Sequence, residues 1–166
     1  MGLDMYLNAR KYINKVGNWD NVNLDSSRPY AGAESREYRD VINAANMWDI
    51  ENVQEPYGAE VQVNVAYWRK ANQIHNWFVE NVQDGEDNCQ EYFVSHEKLK
   101  KLLEIAREAY DHRDPQLLEP TEGFFFGSTD IDEGYWWDIN NTIKQLERIT
   151  NLEEFDKLAF YYQSSW

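Results

Sequence analysis

Leu3, Met5, Leu7 and Ala9 alternate with Asp4, Tyr6, Asn8 and Arg10, and this period of two predicts a half-buried strand over residues 3–12. A second alternating run, Val61, Val63, Val65 and Tyr67, predicts a strand over 59–68 behind a turn at Pro56, Tyr57 and Gly58. Ile74, Trp77, Phe78 and Val82 follow at a spacing of about 3.6, so this strand runs into a helix. The clearest helix covers 96–111, where Leu99, Leu102, Leu103, Ala106 and Tyr110 form one stripe and Ser95 stands ready as its N-cap. Tyr38, Val41, Ile42, Ala45 and Trp48 predict a further helix over 33–48, and Tyr135, Ile139, Ile143 and Leu146 one over 131–149, with Ser128 or Thr129 able to cap it. Asp84-Gly85-Glu86-Asp87-Asn88 is a turn before a short strand at 89–94. Phe124-Phe125-Phe126, set between Gly123 and Gly127, reads as a short buried strand, and 158–163 as the last one. Residues 14–32 read as a long loop and 112–122 as a connector.

Strands that alternate rather than run as continuous aliphatic stretches argue against a fully parallel sheet, whose strands are buried on both faces. The predicted class is α+β: residues 1–166 as a single domain, with an antiparallel or mixed sheet and helices packed mainly on one face. Within it, residues 14–58 read as an embellishing loop and helix.

Charge narrows the choice of partner. In 166 residues there are 30 acidic and 16 basic side chains, a formal net charge of -14, which opposes direct binding of nucleic acid or anionic lipid. Cys89 is the only cysteine, so no internal disulfide forms and a reducing compartment fits. The N-terminus has no basic segment leading into an apolar run, and no stretch of 18 apolar residues occurs. Met1-Gly2 begins like a myristoylation signal, but Tyr6 stands where Ser or Thr is needed. A cytoplasmic protein without a membrane segment is expected. Aromatics make up 15% of the chain, more than a core of this size needs, and Tyr135-Trp136-Trp137 puts rings on more than one helix face. Some of these rings are expected at a ligand or in a homo-oligomer contact.

Against this acidity, Tyr67-Trp68-Arg69-Lys70 through His75 to Trp77-Phe78 concentrates cations and rings at a strand-to-helix junction. A helix N-terminus disfavours positive charge and favours an anion, so Arg69 and Lys70 are candidates for holding a phosphate. Trp68 or Trp77 could stack on a base, with His75 in support. The alternative is that Tyr67, Ile74, Trp77 and Phe78 are core, that Arg69 and Lys70 are solvated or paired to carboxylates, and that His75 is a buried hydrogen-bonding group. At Gly127-Ser128-Thr129, Ser128 and Thr129 could add donors to a phosphate, although the Gly-Lys-Ser/Thr ending of a nucleotide-hydrolysing loop is missing. Asp130, Asp132 and Glu133 do not make a calcium loop, since Asn141 stands where a bidentate Glu is required. His75, His96 and His112 have no metal-ligand spacing, and no hydrolase elbow, dinucleotide loop or zinc-protease signature occurs. No cofactor, metal or catalytic residue is predicted.

Met1-Gly2-Leu3-Asp4-Met5-Tyr6-Leu7, the Tyr67-Trp68-Arg69-Lys70 to His75 block and Gly123-Phe124-Phe125-Phe126-Gly127 together resemble a family of short, uncharacterised proteins encoded by bacteriophages and bacteria. Some members carry an automatic phosphoglycerate kinase label, but such kinases have two domains, more than twice this length and a nucleotide loop not found here. The resemblance covers the chain to about residue 140, apart from 14–58. It implies a phage accessory protein acting in the host cytoplasm. Two expectations follow: a non-enzymatic oligomer that sequesters a nucleotide-like immune signalling molecule, or an acidic inhibitor of a host defence protein that mimics nucleic acid.

Overall fold

A computed structural model describes residues 2–15, 35–47 and 58–166. Most of the predicted 14–32 loop, Trp48 and the Pro56-Tyr57 turn lie outside the described residues. The structure is α+β. Four strands, β1 (Asp4–Asn14), β2 (Gly58–Arg69), β3 (Tyr92–Val94) and β4 (Ala159–Ser165), form one antiparallel sheet in the order β2-β1-β4-β3. β1 pairs with β4 from Asp4 opposite Ser165 to Arg10 opposite Ala159, and β3 pairs with β4 from Tyr92 opposite Tyr162 to Val94 opposite Phe160. The helices are α1 (Arg36–Ala45), α2 (Asn72–Val82), α3 (His96–His112) and α4 (Glu133–Thr150).

Two compact units divide the chain, one formed by residues 1–10 with 62–166 and the other by residues 11–61. In the smaller unit, Ser35 caps α1 by accepting from the Tyr38 N–H at 3.1 Å, and Asn46 ends it in the left-handed region at φ 53°. Asn is among the few side chains that tolerate that conformation, and its N–H satisfies the last carbonyls of the helix. Tyr38 is the buried residue of this helix.

In the larger unit the core lies on one side of the sheet. Leu3 and the odd-numbered β1 residues Met5 and Leu7 are fully buried together with Phe160 and Tyr162 of β4. α2 is the most deeply buried helix of this layer, with eight of its eleven residues buried. Ala71 at its N-cap offers no side-chain acceptor, so burial rather than capping stabilises it. α3 follows the predicted stripe, burying Leu99, Leu102, Leu103 and Ala106, with Ser95 accepting from the Lys98 N–H.

Two local expectations are overturned. Asp132, not Ser128 or Thr129, caps α4, accepting from Gly134 N–H at 2.8 Å and Tyr135 N–H at 3.1 Å. A carboxylate beside the open N–H groups is the better acceptor there, and Ser128 turns instead to Asp130. Phe124-Phe125-Phe126 is a turn rather than a strand: Phe124 is 95% exposed while Phe126 is buried. The Phe126 N–H donates to Gly123 O, and Gly127 leaves the turn at φ +93°, where a side chain would be strained.

Candidate functional site

Strand alternation decides what the block at 67–78 can do. Trp68 points into the core, 1% exposed, and its Nε1–H donates to Thr142 Oγ1 at 2.8 Å. Trp77 is buried against Phe78 in an edge-to-face pair. Neither indole has a free face on which a base could stack. His75 has no exposed surface; its Nδ1 lies 2.7 Å from the Tyr162 hydroxyl and its Nε2 3.1 Å from Asp87. Burial lowers the His75 pKa below its ordinary value, against the pull of the Asp87 carboxylate. Burial likewise pushes the Tyr162 phenol well up. Ile74, Trp77 and Phe78 are core and His75 is a buried hydrogen-bonding group, as the alternative had it, whereas Tyr67, counted with that core, is exposed and Trp68 takes the buried place.

The remaining predicted residues, Arg69, Lys70, Ser128 and Thr129, are all exposed. Asn72 brings their two segments together. Its side-chain amide is 1% exposed, donates to Phe126 O at 3.2 Å and Ser128 O at 2.8 Å, and its oxygen accepts from the Thr121 N–H. Lys70 leaves β2 at φ +59°, its N–H donating to Leu3 O at 2.8 Å. A side chain at position 127 would lie 3.1 Å from the Lys70 Cβ, so glycine there lets the two backbones meet. Among the described residues neither Arg69 nor Lys70 makes an ion pair.

Arg69 shares its side of β2 with Tyr67, and this is the side facing away from the helices. Tyr67 is 41% exposed, lies 5.4 Å from the ring of Tyr6, and donates its hydroxyl to Asp4. That bond raises the Tyr67 pKa, with the Arg69 charge opposing it, so the phenol stays a donor. Further along β2, Asn64 reaches Asn8 and Gln62 reaches Arg10, both even-numbered residues of β1. Even positions of β2 thus share the outward side at 62 and 64, whereas odd ones do at 67 and 69. The alternation shifts by one residue between Asn64 and Tyr67, leaving Val65 and Ala66 both on the core side. The backbone of Tyr67 at this edge is held by Gln145 of α4, which accepts from its N–H at 2.9 Å and donates to its carbonyl at 3.2 Å.

The outward face is a platform of rings and amides. Asn8 lies opposite Tyr161, which lies opposite Phe93; Tyr6 lies opposite Gln163. Phe93 is 57% exposed and meets Tyr161 edge-to-face at 5.8 Å. Arg10 sits 4.1 Å from the Tyr161 ring centre, fixed by Glu91 at 2.6 Å and by Gln62, so its charge is spent within the platform. Sequence reasoning missed Tyr6, Tyr67, Tyr161 and Phe93. The signal was available for Tyr67: in a strand, residues two apart share a face, so Arg69 goes with Tyr67 and not with Trp68.

Elsewhere, burial raises Asp138 of α4 to about 6, with the nearby Gln73 amide opposing the rise and the Asp132 charge adding to it. Trp137 is 64% exposed. Among the described residues no three His, Cys, Asp or Glu side chains cluster to hold a metal ion, and no helix is long and apolar enough to cross a membrane. Compared with protein-family models, curated proteins and solved structures, the chain matches none.

Proposed function

We propose that the protein binds and sequesters a nucleotide-like signalling molecule, as a phage accessory protein would to blunt a host defence, and that the ligand lies on the outward face of the sheet at its Arg69 end. The observation carrying this reading is an exposed Tyr67 ring, backed by Tyr6, beside an Arg69 guanidinium without an ion pair. A base stacks on the phenol, a contribution of about 1–3 kcal/mol. Arg69 closes on a terminal phosphate in a two-pronged contact, and Lys70 with the Ser128-Thr129 segment borders the same corner. Asp4 orients Tyr67 and keeps acceptor capacity for a sugar hydroxyl or a base amine. These are the means of binding and holding rather than of bond breaking. The net charge of -14 favours a small ligand over a polymer, because each added phosphate is repelled by the rest of the surface.

The same charge supports a second reading, an acidic inhibitor of a host defence protein whose carboxylates stand in for nucleic-acid phosphates. Arg69→Ala separates the two. Under sequestration it weakens binding of 5′-AMP at least tenfold in titration calorimetry, with the melting temperature unchanged. Unaltered AMP affinity in the variant would sink the proposed site, and a stable host-protein complex indifferent to Arg69 would favour the inhibitor.

A further inference from the structure

Within the larger unit the platform has two exposed rings, not one, and they stand far apart. Tyr67 belongs to β2 and Phe93 to β3, the opposite edges of the sheet, three strand spacings or about 14 Å across. They are also offset along the strands: Tyr67 lies beside Asp4 and Tyr6, whereas Phe93 aligns through Tyr161 with Asn8. One base covers one of these rings and cannot reach the other. Between them lie the side-chain amides of Gln163 on β4 and Asn64 on β2, the latter donating to the buried Asn8 of β1, and the cation nearest the second ring, Arg10, is held by Glu91. Arg69, without an ion pair, lies beyond Tyr67 at the far end.

Resting on the sequestration reading above, we infer that the ligand is a short oligonucleotide of two or three nucleotides with a terminal phosphate, not a mononucleotide. The terminal phosphate meets Arg69, the first base stacks on Tyr67, the intervening sugar and phosphodiester groups take hydrogen bonds from the amides, and the last base stacks on Phe93. The shape of the charge sets the length. Arg69, with Lys70 bordering the same corner, serves one end, neutral donors serve the middle, and the net charge of -14 opposes a longer run of phosphates.

Titration calorimetry with 5′-AMP and with 5′-phosphorylated di-, tri- and hexa-adenylates tests this. The affinity is expected to rise roughly 5- to 150-fold from AMP to the better of the two short oligomers, the increment of one stacked base, and then to stop rising. Phe93→Ala should return the oligomers to the level of AMP while leaving AMP itself unchanged. Phe93→Leu, which keeps an apolar side chain but no flat ring, should do the same and guards against a folding defect. A di- or triadenylate no tighter than AMP, or a gain that survives both variants, overturns the inference while AMP binding sensitive to Arg69→Ala leaves the underlying site standing. An affinity that keeps climbing to the hexamer also overturns it. Failure of AMP and every oligomer to bind takes the underlying reading down as well.

Discussion

Tyr67 and Trp68 are consecutive, both large and aromatic, and opposite in every physical respect. Trp68 lies in a layer where its ring meets Phe78 at 6.0 Å and its one polar atom is satisfied by Thr142. Tyr67 lies on the face without helices, with its ring partly in water and its hydroxyl on Asp4. The same contrast separates Phe160 and Tyr162 from Tyr161 in β4. One face of the sheet uses aromatic rings to exclude water and hold helices. The other presents rings with polar groups between them, a composition suited to recognition rather than to cohesion. Excess aromatic content alone therefore says little about function until each ring is assigned a side.

The largest difference between the faces should appear in stability. Trp68→Ala empties a fully buried site and removes the donor to the Thr142 hydroxyl, at a cost of about 3–5 kcal/mol. Tyr67→Ala removes one cross-strand contact and one exposed hydrogen bond, at a cost of about 1 kcal/mol or less. Denaturant titration of the two variants checks this, and comparable losses would mean that the outward face is covered after all. Ligand binding should invert the ranking: Tyr67→Ala loses it while folding, and Trp68→Ala loses it only as far as it unfolds.

How much of this was legible follows from where side-chain periodicity holds. The strand at β1, the α2 stripe and the α3 stripe with its Ser95 cap could be read because burial on one side imposes a strict repeat. In β2 the repeat misled, because the shift between Asn64 and Tyr67 puts Val65 on the side opposite Tyr67, although both lie in one alternating series with Val61 and Val63. The turn at 123–127 was misread because three consecutive phenylalanines look like a strand when their flanking glycines are taken as ends rather than as positions requiring positive φ or close approach. Asn72 was invisible as a clamp: its partners are backbone carbonyls more than fifty residues away, and no local pattern announces them.

The next effect belongs to the buried face and is a matter of pH. His75 is held neutral by burial, with its pKa below the ordinary 6.5, so the unfolded chain takes up its proton first as the solution is acidified. Its contribution to stability is complete above about pH 6.5 and is lost as the pH falls toward the folded-state value. His75→Gln should cost about 1–3 kcal/mol at pH 7.5 through poorer hydrogen bonding to Tyr162 and Asp87, and should remove that part of the acid-side loss. Melting curves from pH 7.5 to 5 compare the two proteins, and a gap that stays constant across the range would assign His75 no titration.

The smallest effect has the opposite sign and sharpens the comparison from within the helical layer. Asp138 titrates at about 6 in the folded protein against 3.8 for a free side chain, chiefly because burial disfavours its charge. Between those two values the native state holds the proton and the unfolded state does not, so stability falls as pH rises from 4 to 6 and is then level. At pH 7 the fold carries a partly desolvated carboxylate that Asn would replace with a neutral group of the same shape. After discounting for the water that still reaches it, Asp138→Asn should gain about 1 kcal/mol at pH 7, or roughly 2–4 °C in melting temperature, and nothing at pH 4. If the variant is instead destabilised at pH 7 and oligonucleotide binding falls with it, the charge at Asp138 has a use in the function of the protein, and the helical layer is not only the support for the outward face.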